Sequence, residues 1–139
     1  MKKILTILTV AFIYSCSYAQ TPPKAVKDAF AKKFPNSTKI SWGKEAPKEW
    51  ESEFTFEGNK ISANFAENGT WLETEKEIKS VDLPKAVLVA INKKYPGCKI
   101  LEADKTETSK HGTIYEADIK YGSKKTGLAF KENGTPVNE

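Results

Sequence analysis

The sequence contains no arginine, one histidine and two cysteines. Its 22 basic residues are therefore all lysines, and they face 18 acidic residues. Arginine is the side chain that best recognises guanine and phosphate through two parallel hydrogen bonds. Because arginine is absent and the charges nearly balance, we expect no nucleic-acid partner.

Metal centres and hydrolytic triads also lack the residues they need. A zinc site takes four ligands, whereas the chain beyond its leader offers His111 and Cys98 as nitrogen and sulfur donors. These two could form a thiol nucleophile and its base, but no recognisable motif surrounds them. We expect no catalytic residue, metal or cofactor, and therefore not an enzyme. Cys98 is expected to be a buried thiol without a disulfide partner.

No apolar run reaches the roughly 20 residues that a membrane-spanning helix requires. The run at Ile4–Tyr14 follows Lys2 and Lys3 and precedes small residues that end at Ala19. This order is typical of a secretory signal peptide, so we predict one over residues 1–19, cleaved after Ala19, and a periplasmic or secreted protein. A lipoprotein signal with a lipidated Cys16 is the alternative. The mature chain would keep 20 lysines and 18 acids, a net charge of +2.

The two halves of the remaining sequence resemble each other. The matching segments are Pro23–Val26 with Pro84–Val87, Lys32–Pro35 with Lys93–Pro96, and Phe65–Thr70 with Phe130–Thr135. Because their order is the same in both halves, we predict an internal duplication. Residues 20–139 would form a single domain made of two repeats, at about 22–79 and 83–139.

Each predicted repeat is a helix followed by a strand meander. The helix would begin at a proline, which suits a first helical turn. Four apolar side chains then recur at helical spacing: Val26, Ala29, Phe30 and Phe34. From Trp50 to Phe56 apolar and acidic residues alternate, which is typical of a half-buried antiparallel strand. The predicted fold class is α+β in two layers, a tandem duplication of a helix plus an antiparallel β-meander, with the helices packed on one face of the sheet.

The turn at Asn68-Gly69 allows two registers, which place Trp71 on opposite faces. A two-residue turn pairs Phe65 with Leu72 and leaves Trp71 outside. A three-residue turn with a bulge at Gly69 pairs Phe65 with Trp71 and turns Trp71 inward. The second register would also turn the glutamates that follow Trp71 inward, where unpaired carboxylates are costly. We therefore predict the first register, with Trp71 on the outer face.

The predicted outer face combines one aromatic side chain with acids and an amide. It is the predicted partner-binding site, formed by Trp71, Glu73, Glu75, Glu51, Glu53 and Asn64. Trp71 aligns near Pro136 and has no aromatic counterpart in the second half, so shared packing does not require it. An exposed tryptophan among acids would suit a basic or amide-rich partner. The alternatives are an ordinary solvated face and a calcium site formed by the four glutamates.

Taken in order, these segments resemble the PepSY-like, beta-lactamase-inhibitor-like family of small exported bacterial proteins. The resemblance is carried by the two proline-started helices, the Trp-Glu-Ser-Glu-Phe strand at 50–54 and the segment from Asn68 to Glu75. It covers residues 23–139 and implies helices on one face of an antiparallel sheet and a cell-envelope location in a Gram-negative bacterium. It offers no family catalytic residues and implies binding, which includes inhibition.

We therefore predict a non-enzymatic periplasmic or envelope module that binds another envelope protein or peptide, in the manner of an inhibitor. The alternative is a small-ligand or calcium-binding envelope protein.

Overall fold

A computed structural model of the chain describes residues 21–137. The predicted signal peptide, its cleavage site after Ala19 and the alternative lipidation site at Cys16 lie outside the described residues. The helices are α1 (Lys24–Lys33) and α2 (Lys85–Lys94), with a short 3₁₀ helix at Ser80–Asp82 between them in sequence. The strands are β1 (Thr38–Ala46), β2 (Glu49–Phe56), β3 (Asn59–Ala66), β4 (Trp71–Glu77), β5 (Lys99–Thr108), β6 (Gly112–Tyr121) and β7 (Lys124–Phe130).

The predicted fold class, a tandem duplication of a helix and a meander, is wrong. The described residues form one seven-stranded antiparallel sheet in which the strands follow the order of the sequence, β1 to β7. Each helix has only 10 residues, so the fold is mostly β. Apolar periodicity identifies individual strands, but it does not say which backbone groups pair across them. It therefore could not exclude a tandem duplication, although the small size of each repeat predicts one continuous sheet, as observed.

The chain divides into two compact units. The N-terminal unit comprises residues 21–77 and Thr106–Gly112, so the hairpin between β5 and β6 belongs to it. The C-terminal unit comprises Ile78–Lys105 and residues 113–137.

Both helices follow a proline, as predicted, and both end one residue before an aromatic C-cap. Pro23 and Pro84 are the N-cap residues, and Phe34 and Tyr95 are the C-caps. A proline follows each C-cap, at Pro35 and Pro96, and disfavours a helical conformation for the residue before it. Local sequence therefore determines both ends of each helix.

The core of the N-terminal unit is largely aromatic. It contains Val26, Phe30, Phe34, Trp50, Phe54, Ala63 and Phe65. The Phe30 ring contacts Phe54 edge to face at a centroid distance of 4.8 Å and Trp42 at 5.1 Å. Edge-to-face contacts of this kind add to the free energy gained from burying the rings. Helix α1 therefore covers one face of β2 and β3, and the other face of these strands carries polar residues.

The core of the C-terminal unit is mostly aliphatic. It contains Leu83, Val87, Ile91, Ala103, Ala117, Ile119 and Phe130. Val87 and Ile91 are four residues apart and form the buried stripe of α2. Tyr95 follows α2 and contacts Tyr121 at a centroid distance of 5.7 Å, and Tyr121 is 46% exposed.

Candidate functional site

The hairpin between β3 and β4 differs from the predicted one. Four residues, Glu67 to Thr70, lie between the two strands, and the Ala66 nitrogen closes the turn by donating to the Thr70 carbonyl at 2.8 Å. Phe65 pairs with Trp71 and Asn64 with Glu73, so β4 has a bulge at Leu72. The predicted register, with Trp71 outside, is therefore wrong.

The bulge explains why the argument against the inward register failed. That argument assumed strict alternation along β4, which would turn Glu73 inward together with Trp71. The extra residue, Leu72, restores the outward direction for the glutamates, because Glu73 pairs with Asn64 and Glu75 with Ser62. The indole is thus partly buried without the cost of burying two carboxylates.

Trp71 lies on the side of the sheet that α1 covers. Its ring packs against the aromatic core of the N-terminal unit, and its Nε1 donates to Thr74 Oγ1 at 2.9 Å. The Nζ of Lys33, in the last turn of α1, lies 3.8 Å from the centroid of the indole ring. The structure therefore separates Trp71 from the other predicted site residues.

The remaining predicted residues do come together on the opposite side of the same strands. In one row across β2, β3 and β4 stand Glu51, Asn64 and Glu73, and in the next stand Glu53, Ser62 and Glu75. Glu49 lies beside the first row, since it pairs with Ala66. We call this surface the acidic face, and it comprises Glu49, Glu51, Glu53, Glu73, Glu75, Asn64 and Ser62.

Asn64 links the carboxylates of neighbouring strands. Its side chain lies at the middle strand and is only 8% exposed. Its Nδ2 donates to Glu49 Oε1 at 3.1 Å and to Glu73 Oε1 at 3.3 Å. Ser62 Oγ donates to Glu75 Oε2 at 3.3 Å in the next row. These hydrogen bonds fix the positions of glutamates whose side chains would otherwise rotate freely.

Glu51 lies at the centre of the acidic charge. Burial, together with the negative charges of Glu45, Glu53 and Glu49, raises the pKa of its carboxyl from 4.5 to about 6, and burial is the larger cause. Its neighbour on β1 is Gly43, and no heavy atom lies within 4 Å of where a Cβ at Gly43 would be. The carboxyl of Glu51 is therefore partly desolvated in a negative environment, which a cationic group would relieve.

Neither the calcium alternative nor the thiol alternative gains support from these positions. Within residues 21–137, no group of three or more His, Cys, Asp or Glu side chains is arranged to hold a metal ion. Cys98 is a free thiol that packs against the C-terminal core, half-buried where a buried one was expected. His111 Nε2 is buried and makes no hydrogen bond to any described residue, the Cys98 thiol included.

Sequence reasoning missed Glu49 in the acidic face and Gly43, the neighbour of Glu51 on β1. Glu49 continues the alternation of Glu51 and Glu53 by one step toward the start of β2, so the pattern could have revealed it. Gly43 could not be placed, because β1 pairs irregularly at two points, between Thr38 and Ser41 and between Lys44 and Ala46. An alternation pattern does not predict such shifts.

Comparison with known sequences matches residues 48–136 to the profile of a protein family described as beta-lactamase-inhibitor-like and PepSY-like. None of the curated proteins with which the sequence was compared matches it. Among residues 21–137, neither helix is long and apolar enough to cross a bilayer.

Solved structures with the same fold come from Bacteroides species. A BLIP-like protein from Bacteroides fragilis is 29% identical, with a TM-score of 0.72 over 85% of this chain and 84% of that one. A DUF2874 family protein from Bacteroides ovatus is 21% identical, with a TM-score of 0.73 over 85% and 86% of the two chains. A protein from Bacteroides eggerthii, named as a candidate periplasmic protein, is 16% identical with a TM-score of 0.73 over 85% and 87%.

Proposed function

The chain belongs to the PepSY-like, beta-lactamase-inhibitor-like family, and on that premise we propose that it is a non-catalytic envelope protein that binds a basic protein or peptide through the acidic face. The BLIP-like name of the Bacteroides fragilis structure supports a role in protein binding. Export through a signal peptide cleaved after Ala19 is part of this proposal.

The observation that carries the proposal is the hydrogen-bonded order of the acidic face. Asn64 on β3 joins Glu49 on β2 to Glu73 on β4, so carboxylates on the two strands that flank β3 keep fixed spacings. A partner that binds fixed groups loses less conformational entropy than one that must order mobile side chains. A rigid sheet also holds such groups more precisely than a loop does.

The other surfaces of the N-terminal unit are less suited to binding. Helix α1 and its aromatic residues cover the opposite face of the sheet. Strand β1 is at the edge of the sheet, but its pairing is irregular at two points and Lys39 has a positive φ of 53°. Bulges and lysines on an edge strand disfavour the addition of another strand. The acidic face is therefore the favoured contact surface.

The charge of the acidic face indicates the chemistry of the partner. The raised pKa of Glu51 reflects burial next to other carboxylates, and a lysine or arginine of a partner would lower it by compensating that charge. In this proposal Trp71 supports β4 from the opposite side and does not contact the partner. Binding would inhibit the partner if the partner is an enzyme and its substrate must approach the same basic region that contacts the acidic face.

Affinity capture from an envelope extract tests the proposal with three matched baits. The first is the wild-type mature chain, the second carries Glu51→Gln and Glu53→Gln, and the third carries Glu57→Gln and Glu132→Gln. The third bait removes the same charge from exposed turn residues outside the acidic face. We expect a protein that the first and third baits retain and the second loses. Equal retention by all three baits would contradict the assignment of the acidic face.

A further inference from the structure

An Asn-Gly pair occupies one turn in each unit: Asn68-Gly69 in the N-terminal unit and Asn133-Gly134 in the C-terminal unit. Both asparagines are exposed. In a flexible chain this dipeptide deamidates readily, because glycine has no Cβ to keep its backbone nitrogen away from the preceding amide. The chemistry of these two turns does not depend on the proposed function.

The reaction needs the backbone nitrogen of glycine as the nucleophile. That nitrogen loses its proton and attacks the Cγ of asparagine, a C–N bond forms, and ammonia leaves to give a succinimide. Water then opens the succinimide ring to aspartate or to isoaspartate. Only water is consumed, so the chain carries every other reacting group.

The folded turn at Asn68 engages both reacting groups in hydrogen bonds. The Gly69 nitrogen donates to the Ala66 carbonyl at 2.8 Å, which holds the proton that the attack must remove. The side-chain Oδ1 of Asn68 accepts a hydrogen bond from the Thr70 nitrogen at 2.9 Å, which fixes the orientation of the amide. Attack therefore requires both hydrogen bonds to break.

The turn at Asn133 has the same arrangement. The Gly134 nitrogen donates to the Lys131 carbonyl at 2.8 Å, and Asn133 Oδ1 accepts from the Thr135 nitrogen at 3.0 Å. Two turns of the chain thus hold the same reactive dipeptide in the same closed geometry.

Each turn also rests directly on a helix. Gly69 has a φ of 88°, and a Cβ added to it would lie 2.6 Å from the carbonyl oxygen of Ala25 in α1. Gly134 has a φ of 80°, and its added Cβ would lie 2.5 Å from the carbonyl oxygen of Ala86 in α2. Each Asn-Gly turn thus contacts the N-terminal end of its helix closely. It cannot change its backbone conformation without losing that contact.

We propose that Asn68 and Asn133 are latent modification sites, which the closed turns keep from deamidating and which react only when a turn opens. Opening requires the loss of hydrogen bonds and of the helix contact, so it is a local unfolding event. In isoaspartate the main chain runs through the former side chain, so the main chain is longer by one methylene. A lengthened turn cannot keep Gly69 both against Ala25 and bonded to Ala66, so the modified turn does not close again.

Peptide mass spectrometry after incubation in mildly alkaline buffer tests the closed state. One sample of the mature chain stays folded and the other is unfolded in guanidinium chloride. We expect Asn68 and Asn133 to deamidate at least about tenfold more slowly in the folded sample, since the open turn is a minor state. Asn36 and Asn92, which precede serine and lysine, serve as internal references. Equal rates in the two samples would overturn the proposal.

A second measurement tests the consequence for refolding. Chains aged in guanidinium chloride are refolded, and those carrying isoaspartate at position 68 are compared with an Asn68→Asp variant that has the same charge and a normal backbone. We expect a lower melting temperature for the isoaspartate chains and a nearly unchanged one for Asn68→Asp. Equal melting temperatures would show that the lengthened turn still closes, which overturns this part of the proposal.

Discussion

The ammonium of Lys33 lies 3.8 Å from the centroid of the Trp71 ring, so the last turn of α1 contacts the first residue of β4. Trp71 also packs against the aromatic core and donates a hydrogen bond to Thr74. Strand β4 carries Glu73 and Glu75 on its other side. The position of these two glutamates in the acidic face therefore depends on packing behind the sheet.

Trp71→Ala is expected to lower the free energy of unfolding by about 2–3 kcal/mol, because it removes a half-buried indole and its contacts. Trp71→Phe should retain most of the packing and lose less. Urea denaturation of both variants measures the difference. Under conditions where Trp71→Ala remains folded, it should still bind the captured partner. Complete loss of binding by a folded Trp71→Ala would show that the indole itself contacts the partner.

Gly69→Ala should be far more destabilising than Gly58→Ala, although both glycines have a positive φ. At Gly58, with a φ of 79°, no heavy atom lies within 4 Å of an added Cβ, so alanine suffers only the unfavourable backbone conformation, about 1 kcal/mol. At Gly69 the added Cβ also meets the Ala25 carbonyl, and we expect a total of about 3 kcal/mol. Equal melting temperatures for the two variants would disprove the close contact between the turn and α1.

The raised pKa of Glu51 predicts a pH dependence of stability. The folded state favours the protonated carboxyl of Glu51. The stability that this preference contributes is fully present below about pH 4.5 and is lost as the pH rises through about 6. Glu51→Gln should therefore be more stable than wild type at neutral pH and should lose this part of the pH dependence. Denaturant titrations across this range measure it, with Glu57→Gln as the exposed control. The same slope in wild type and Glu51→Gln would contradict the assigned cause.

Asn64 is expected to matter as the hydrogen-bond donor between two carboxylates. Asn64→Ala should lower the free energy of unfolding by about 1–2 kcal/mol, because Glu49 and Glu73 lose a buried donor. Asn64→Asp should cost more at neutral pH and recover at acidic pH, since it adds a further carboxylate to the row. A pH-independent effect of Asn64→Asp would mean that shape, and not charge, governs this position.

Much of the local structure could be predicted from the sequence. The prolines before and after each helix, with apolar residues such as Val26 and Phe30 at helical spacing, located both helices. The alternation of Trp50, Ser52 and Phe54 with glutamates identified β2 and its acidic side, and Ser52 is indeed buried. These predictions succeeded because each depends on residues close together in the chain.

The failures concern backbone pairing, which neighbouring residues do not determine. The bulge at Leu72 reverses the side of Trp71, and nothing in the alternation of β4 requires it. The predicted tandem duplication was wrong as well, because similarity between the two halves does not determine how the strands pair, although one sheet was expected for both halves. Five of the predicted site residues do share one face of the sheet: Glu51, Glu53, Glu73, Glu75 and Asn64. Trp71 lies on the opposite face, against the core.

Calorimetric titration of the captured partner is the most direct test of the central claim, that the acidic face binds a basic partner. The wild-type chain, the Glu51→Gln/Glu53→Gln variant and the Glu57→Gln/Glu132→Gln control are titrated at low and high salt. We predict an affinity at least about tenfold lower for the Glu51→Gln/Glu53→Gln variant, a wild-type affinity for the control, and weaker binding of the wild type at high salt. Equal affinities for all three proteins, independent of salt, would contradict the claim.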